Sequence, residues 1–430
     1  MPFNVPYGTE DVLPERIPLW LKIENTVRNV CRLYGYQEIR TPIFEYTGLF
    51  NRAVGDTTDI VEKEMYTFEH KKKGEESCEE SIDEDSISLR PEMTASTVRA
   101  FIQHNIYNKR TFNKFFYIGP AFRRERPQKG RYRQFHQFGV EALGSYDPLV
   151  DVETIVLYTH ILRELGIDKY EVNVNSIGCS KCRAGYRDLL KNVVGAKINK
   201  YCPNCKGRFE RNPFRIFDCK SATCIELIDA LPTITVHICE ECKGHFNILK
   251  NGLESSGVRY IINPRLVRGL DYYTKTTYEF TSSLLGAQNS ICGGGRYDNL
   301  VSELGGPNIG AVGFASGIER LVLVMESSQP STSGGSIDFF AVYIGEDNRS
   351  AVFKLVSDLR QIGLSGDMDY EGKSVKAQMR NAGKLGAKLV LIIGGDEAAK
   401  KVVQVKDMSA GKETVVPIDK IGKYLKEVII

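Results

Sequence analysis

Arginine, glutamine and carboxylate recur at alternate positions within one short stretch, YIGPAFRRERPQKGRYRQFHQFGVEALG from Tyr117 to Gly144, a mixture suited to holding an anion beside a polar organic group. Successive side chains of a strand face opposite ways. A strand over Arg131 to Ala142 therefore puts Arg131, Arg133, Phe135, Gln137, Gly139 and Glu141 on one face, with Phe138 and Val140 on the other as core. The same count on the incoming strand separates Arg123 and Glu125 from Phe122 and Arg124, and RPQKGRY between the two has the Pro and Gly of a loop. Burying such a polar face is costly unless a polar ligand binds there. Arginine's planar fork suits phosphate oxygens, while a carboxylate with an amide suits a cationic or amide-bearing molecule. A surface hairpin with ordinary ion pairs is the plainer account, and the kept parity of the polar positions argues against it.

A second constellation lies between Gly178 and Asn263, where cysteines come in pairs: Cys179 with Cys182, Cys202 with Cys205, Cys219 with Cys224, and Cys239 with Cys242. C-x2-C spacing lets two thiolates from one turn reach a single tetrahedral ion, so these sulfurs could fill two structural zinc sites of four thiolates each. Reduced thiols are the alternative. The chain has eleven cysteines and no export signal, so a disulfide framework is not expected. Its 430 residues, 42% hydrophobic and 26% charged, can bury a full core and imply more than one domain. MPFNVPYGTEDVLPE has early prolines and acids and no apolar block, and no later run could span a bilayer; a cytoplasmic protein with no membrane partner is expected. A net charge of +3 permits an RNA partner without demanding one.

The run FRRERPQKGRYRQFHQFGVE resembles motif 2 of the class II aminoacyl-tRNA synthetases, in the wording of the histidyl-tRNA synthetase family. Three further stretches agree: SLRPEMTAS (Ser88 to Ser96), LVRGLDYYT (Leu266 to Thr274) and GFASGIERL (Gly313 to Leu321). The second is peculiar to the histidine enzymes and their close relatives, and the resemblance runs nearly end to end. It implies an α+β fold with the antiparallel-sheet catalytic core of class II, motifs 1 and 2 falling in residues 1–177 and the histidine motifs and motif 3 in 264–326. A Cys-rich insertion domain would occupy 178–263 and meet the tRNA acceptor stem; past a linker at 327–336, residues 337–430 would form an α/β anticodon-binding domain.

The implied activity is ATP-dependent activation of L-histidine to histidyl-adenylate, with Mg2+, then transfer to tRNA(His) by a homodimer joined through motif 1. Residue by residue, the resemblance makes Arg123 and Arg268 catalytic at the α-phosphate, Arg268 taking a place that magnesium fills in other class II enzymes. Glu92, Thr94 and Gln137 would hold the histidine α-amine, Glu141 and Tyr272 would read the ring, and Tyr273 would close the pocket. Phe135 and Arg320 would sandwich adenine, Arg320 being the motif 3 arginine that meets the γ-phosphate. Met93 departs from the family, which usually has glycine there. The regulatory partner of ATP phosphoribosyltransferase shares this core but lacks a tail like Ser336 to Ile430, and a purely RNA-binding scaffold would have no use for inward arginines and carboxylates.

The elements that must position these residues are read from periodicity. An amphipathic helix from Pro14 carries Leu19, Ile23, Val27 and Val30 and stops at Tyr34-Gly35; a strand GYQEIRTPIFEY follows. Met65 to Phe68 and Ile87 to Leu89 read as paired strands joined by the charged loop KKKGEESCEESIDEDS. RPEMTASTVRAFIQ opens a helix with Pro91 in its first turn and Glu92 and Thr94 at its mouth. Asp147-Pro148 starts another, which Gly166 ends. LVRGLDYYTKTTYEF reads as a strand, placing Arg268 and Tyr272 on one parity and Tyr273 on the other unless Gly269 allows a bulge. CGGGRYDNL clears side chains for close backbone approach, and Arg320 opens a helix whose dipole it opposes unless an anion binds. After SSQPSTSGGS, the strands FFAVYIG, LVLIIGG and VVQVKD alternate with helices at Ser350 to Gln361 and Ser374 to Leu385, the pattern of a mostly parallel sheet. Lys373, Lys376, Arg380 and Lys384 suit an RNA-facing helix or a merely solvated one.

Overall fold

The computed structural model describes residues 3–55, 58–69, 86–328 and 337–429. Residues 71–85 of the charged loop and 329–336 of the linker lie outside the described residues. The chain divides into two compact units, one of residues 1–12 and 19–330 and the other of residues 13–18 and 331–430.

In the first unit, α1 (Ile17–Leu33) buries Trp20, Ile23, Val27 and Val30 along one stripe, as helical spacing requires. The strand expected over GYQEIRTPIFEY is divided instead: β1 (Gln37–Glu38) joins the large sheet and β2 (Phe44–Tyr46) a small one. Between them the Arg90 guanidinium takes the carbonyls of Thr41 and Pro42 at 2.9 and 3.2 Å, and Pro42 has no N–H to give a ladder. After α2 (Thr47–Val54), β3 (Tyr66–Glu69) and β4 (Ser86–Leu89) pair antiparallel. The next helix, α3 (Thr94–Gln103), begins only past Pro91, which is therefore not in its first turn. Its opening N–H groups are taken by the Glu92 carboxylate, from Thr94 at 2.6 Å and Ala95 at 2.8 Å, so Glu92 is the capping group and not Thr94.

A long antiparallel hairpin follows, β5 (Asn113–Phe122) with β6 (Gln134–Leu143). Then α4 (Pro148–Leu165) starts on Asp147, whose carboxylate accepts from the Leu149 N–H at 2.9 Å, and stops at left-handed Gly166 (φ 75°). Beyond β7 (Glu171–Ser176) the chain turns helical through α5 (Ser180–Gly195), α6 (Pro203–Arg211), α7 (Ala222–Asp229) and α8 (Glu240–Ser255). It returns to the sheet as β8 (Ile261–Ile262), β9 (Thr274–Thr281) and β10 (Ser290–Arg296), then passes α9 (Leu300–Glu303) to β11 (Ala311–Gly317) and α10 (Ile318–Ser328).

The large sheet has the order β1-β5-β6-β11-β10-β9-β7-β8, antiparallel except at its two short edge strands. Phe138, Val140, Val312 and Phe314 bury one face against Ile155, Tyr158 and Leu162 of α4 and Trp20, Ile23 and Val27 of α1. Burial of each such side chain is worth about 1.5–3 kcal/mol. Arg296, fully buried at the end of β10, ties that strand to the start of α4: it donates to Asp151 at 3.0 Å, to Asp298 at 3.0 Å and to the carbonyls of Ser145 and Asp147 at 2.9 and 3.0 Å. With Arg296 beside it, Asp151 stays below the usual carboxylate range despite burial, which alone would raise it.

The second unit contains β12 (Phe339–Tyr343), α11 (Arg349–Gln361), β13 (Gly366–Met368), α12 (Val375–Lys384), β14 (Leu389–Ile393), α13 (Gly395–Lys400), β15 (Val402–Asp407), β16 (Glu413–Pro417) and α14 (Ile421–Ile429). Its sheet, ordered β13-β12-β14-β15-β16, is mixed where a mostly parallel one was expected: β12 runs parallel to β13 and β14, but β15 and β16 are antiparallel. Only residues 394–401 link β14 to β15 and only 408–412 link β15 to β16, too few for parallel crossovers. Lys373, Lys376, Arg380 and Lys384 are all exposed around α12. Among the described residues no single helix is long and apolar enough to cross a membrane.

Candidate active site

On the side of the sheet away from α4 lies a cleft with roughly 920 Å³ of open space, and it gathers Glu92, Thr94, Arg123, Phe135, Gln137, Glu141, Arg268, Tyr272, Tyr273 and Arg320 on one lining. Strand parity accounts for β6, whose Phe135, Gln137 and Glu141 all face the cleft. Arg133 departs from that expectation. It precedes the strand, and its guanidinium lies 5.2 Å from the Tyr7 ring centre instead.

At the deep end Glu141, 1% exposed, accepts a hydrogen bond from Tyr117 at 3.1 Å on one carboxylate oxygen and another from Tyr297 on the second. Burial pushes its carboxyl up to about 8. A side chain at Gly313 would collide with this carboxylate, and one at Gly139 with the Tyr117 hydroxyl, so both glycines make room for the polar group. Glu92 and Thr94 come in at the N-terminus of α3, and burial raises the Glu92 carboxyl as well. Both Glu92 oxygens serve backbone N–H groups, yet a carboxylate has lone pairs for further donors. The Oε1 atom of Gln137 is buried without a hydrogen-bond partner.

The stretch holding Arg268, Tyr272 and Tyr273 is not a strand, which begins only at Thr274. Its carbonyls go to side chains from elsewhere: Asn175 donates to Leu266 at 3.0 Å, Arg215 to Gly269 at 2.8 Å and Arg183 to Tyr273 at 2.9 Å. The parity conflict between Tyr272 and Tyr273 therefore does not arise. Their rings sit 4.6 Å apart, and Tyr272 meets Tyr297 at 5.5 Å.

Cations crowd the other end. Arg268 pairs with Glu279 at 2.5 Å, which raises its already high pKa against the effect of burial, and its Nε is buried without a partner. A side chain at Gly293 would overlap its guanidinium, so this glycine of CGGGR admits Arg268. Arg123 donates to the Pro91 carbonyl at 2.9 Å and lies 5.3 Å over the Phe135 ring. Arg320 donates to the carbonyl of Gly130 at 3.0 Å, and burial first, then Arg131 and Arg123, hold its guanidinium down at about 10. Burial also lowers Arg123 and Arg131. Arginines that repel one another in a half-dry cleft are stabilised by a polyanion among them.

Sequence reasoning missed Tyr117, Tyr297 and Glu279. Tyr297 follows CGGGR directly, and Tyr117 stands opposite Gly139 in the hairpin register, a bulky-against-absent pairing that marks a displaced ring. Away from the cleft, the sulfurs of Cys179, Cys182, Cys239 and Cys242 all lie within 4.8 Å of one another, as do those of Cys202, Cys205, Cys219 and Cys224.

A family model described as Histidyl-tRNA synthetase matches residues 8–181 and 230–321, and one described as Anticodon binding domain matches 338–428. The chain is 47% identical to the histidine–tRNA ligase of Moorella thermoacetica, over 98% of this chain and 97% of that one. It is 45% identical to that of Clostridioides difficile, over 99% of both. The crystal structure of apo S. aureus histidyl-tRNA synthetase superposes with a TM-score of 0.80 at 35% identity, covering 99% of this chain and 100% of that one. An ATP phosphoribosyltransferase regulatory subunit/histidyl-tRNA synthetase from Bacillus halodurans C, 22% identical with a TM-score of 0.64, shares the fold over 92% of this chain.

Proposed function

Because this chain belongs to the histidyl-tRNA synthetase family, we propose that its cleft joins L-histidine to ATP and that the side chains gathered there divide the work as follows. The observation that carries the reading is their convergence on one hollow, where Gln137 Oε1 and Arg268 Nε are buried without a hydrogen-bond partner. The chain is an aminoacyl-tRNA synthetase of α+β fold. In its first reaction a histidine carboxylate oxygen attacks the α-phosphorus of ATP, the bond from that phosphorus to the β-bridging oxygen breaks, and pyrophosphate leaves. Both reactants are anionic, so fixed cations lower the barrier most. Arg123 and Arg268 are those cations. Glu141 and Tyr272 read the imidazole, Glu92, Thr94 and Gln137 hold the α-ammonium group, and Tyr273 closes the pocket. Phe135 and Arg320 hold adenine, Arg320 reaching the γ-phosphate as well. Glu125 and Glu319 line the same cleft and offer the oxygen ligands Mg2+ takes, and the ion supplies charge neutralisation on the outer phosphates.

In the second reaction a terminal ribose hydroxyl of tRNA attacks the carbonyl carbon of the adenylate and AMP leaves. We assign residues 1–177 and 264–326 to catalysis, 178–263 to the acceptor stem and 337–430 to the anticodon of tRNA(His), the last supported by the anticodon-binding match at 338–428. Zinc in this reading is structural, since none of the eight paired cysteines lines the cleft. A homodimer is supported by Ile43, Phe44 and Tyr46, large apolar side chains close together in sequence that expose 42%, 56% and 57% of their surface. The reaction belongs where protein is made, in the cytoplasm. Purified chain with ATP, Mg2+ and total tRNA is expected to make radiolabelled histidine acid-precipitable and ribonuclease-sensitive. Failure to charge any tRNA with histidine would overturn the reading.

A further inference from the structure

Every cysteine pair of the inserted helices stands at a helix start. Cys179 and Cys182 are the N-cap and third residue of α5, Cys202 and Cys205 of α6, and Cys239 and Cys242 of α8; Cys224 is the third residue of α7, with Cys219 just ahead of it. Each group of four sulfurs thus meets two helix N-termini, which favour negative charge. Sulfur separations are 3.6 Å for Cys179–Cys182, 4.0 Å for Cys182–Cys242 and 3.8 Å for Cys202–Cys219. Four thiolates about 2.3 Å from one tetrahedral ion stand about 3.8 Å apart, whereas a disulfide needs about 2.05 Å. Backbone N–H groups also cross between the halves of each group, Cys239 donating to the Cys182 sulfur at 3.1 Å and Cys202 to the Cys224 sulfur at 3.2 Å. Such outer bonds orient metal thiolates.

Between the inner cysteines run Asn212 and Arg215. Asn212 donates to the Asp271 carboxylate at 3.3 Å, and Arg215 donates to the carbonyls of Arg268 and Gly269 at 3.3 and 2.8 Å. Those contacts grip the irregular stretch that presents Arg268, Tyr272 and Tyr273 to the cleft. We propose that the chain holds two nested tetrathiolate zinc ions, one on Cys179, Cys182, Cys239 and Cys242 and one on Cys202, Cys205, Cys219 and Cys224, and that the inner ion positions the histidine-pocket loop through Arg215 and Asn212. The proposal rests on reading the thiols as zinc ligands and goes beyond it in the pairing and in the link to the site.

Full chain purified under reducing, chelator-free conditions is expected to carry two zinc ions, and its cobalt-exchanged form to show the sulfur-to-metal bands of tetrahedral thiolate coordination. Cys219→Ser with Cys224→Ser should leave one zinc and raise KM for histidine about tenfold, more than KM for ATP. Arg215→Ala, whose thiols are intact, should keep two zinc ions and show the same KM shift, so the link is testable even if the cysteine variant does not fold. Absence of zinc and of cobalt bands would overturn the centres, and an unchanged KM in Arg215→Ala would overturn the link. Zinc content is read without any exchange assay, which keeps a failure of the centres apart from a failure of the ligase reading.

Discussion

Arg268→Ala is expected to lower histidine-dependent exchange of pyrophosphate into ATP by about 10²–10³-fold, the usual cost of removing one preorganised donor from a developing charge, while histidine still binds. The guanidinium is pre-set: Glu279 holds it at 2.5 Å, Gly293 leaves room for it, and its Nε has no partner inside the protein. Alanine removes the cation and leaves the Glu279 carboxylate, so the attacking anion meets repulsion where it met attraction. Arg268→Lys restores charge but not the planar fork, and should recover only part of the loss. The loss belongs in kcat for exchange, because Glu141, Glu92 and Gln137, which bind histidine in this account, are untouched. Near-normal exchange in Arg268→Ala would remove it from the chemistry, and a loss confined to KM for histidine would make it a binding residue.

Glu141→Gln should cost about 10³-fold or more in kcat/KM for histidine, because a pocket built around polar pairing is left with unmatched groups. Tyr117 and Tyr297 each lie within hydrogen-bond reach of one carboxyl oxygen, and an amide puts an NH2 donor with no acceptor capacity where one of those oxygens stood. The pH dependence separates this from a packing defect. With its carboxyl at about 8, Glu141 holds a proton in the empty site at neutral pH. Imidazole with a pKa of about 6.5 is then neutral, and the pair shares that one proton with no net uptake. Above pH 8 the empty site has lost the proton and binding must recover it, so KM for histidine rises by up to about tenfold per pH unit. Ionisation of the histidine α-amine affects both proteins alike, and only the wild type should show the additional limb. In the empty protein, a pKa raised above the unfolded value means that Glu141 costs no stability below about pH 4.3 and an increasing amount as pH climbs toward 8. Glu141→Gln should flatten that slope in thermal melts. A variant that kept histidine kcat/KM within tenfold would contradict the assigned role.

The hairpin β5–β6 was legible because one of its faces is core: Phe138 and Val140 had to point inward, and that fixed where Gln137 and Glu141 point. Leu266 to Tyr273 was not. Its valine and tyrosines favour a strand, but Asn175, Arg183 and Arg215, far away in sequence, take its carbonyls, and local propensity carries no record of them. Arg90 divides GYQEIRTPIFEY in the same way. The cysteine spacing marked candidate metal ligands but not which pairs come together, since the grouping follows from how α5 to α8 fold back on each other. The roles within the cleft came from the family resemblance, and the structure adds the partners that hold Glu92, Glu141, Arg123, Arg268 and Arg320 there.

The most direct test is the exchange of labelled pyrophosphate into ATP by the unaltered protein across the panel of protein amino acids. Exchange that appears with histidine and with no other member of the panel is the predicted result. No exchange with histidine, or equal exchange with several amino acids, would contradict a cleft built to set an imidazole beside a phosphate-binding cluster of arginines.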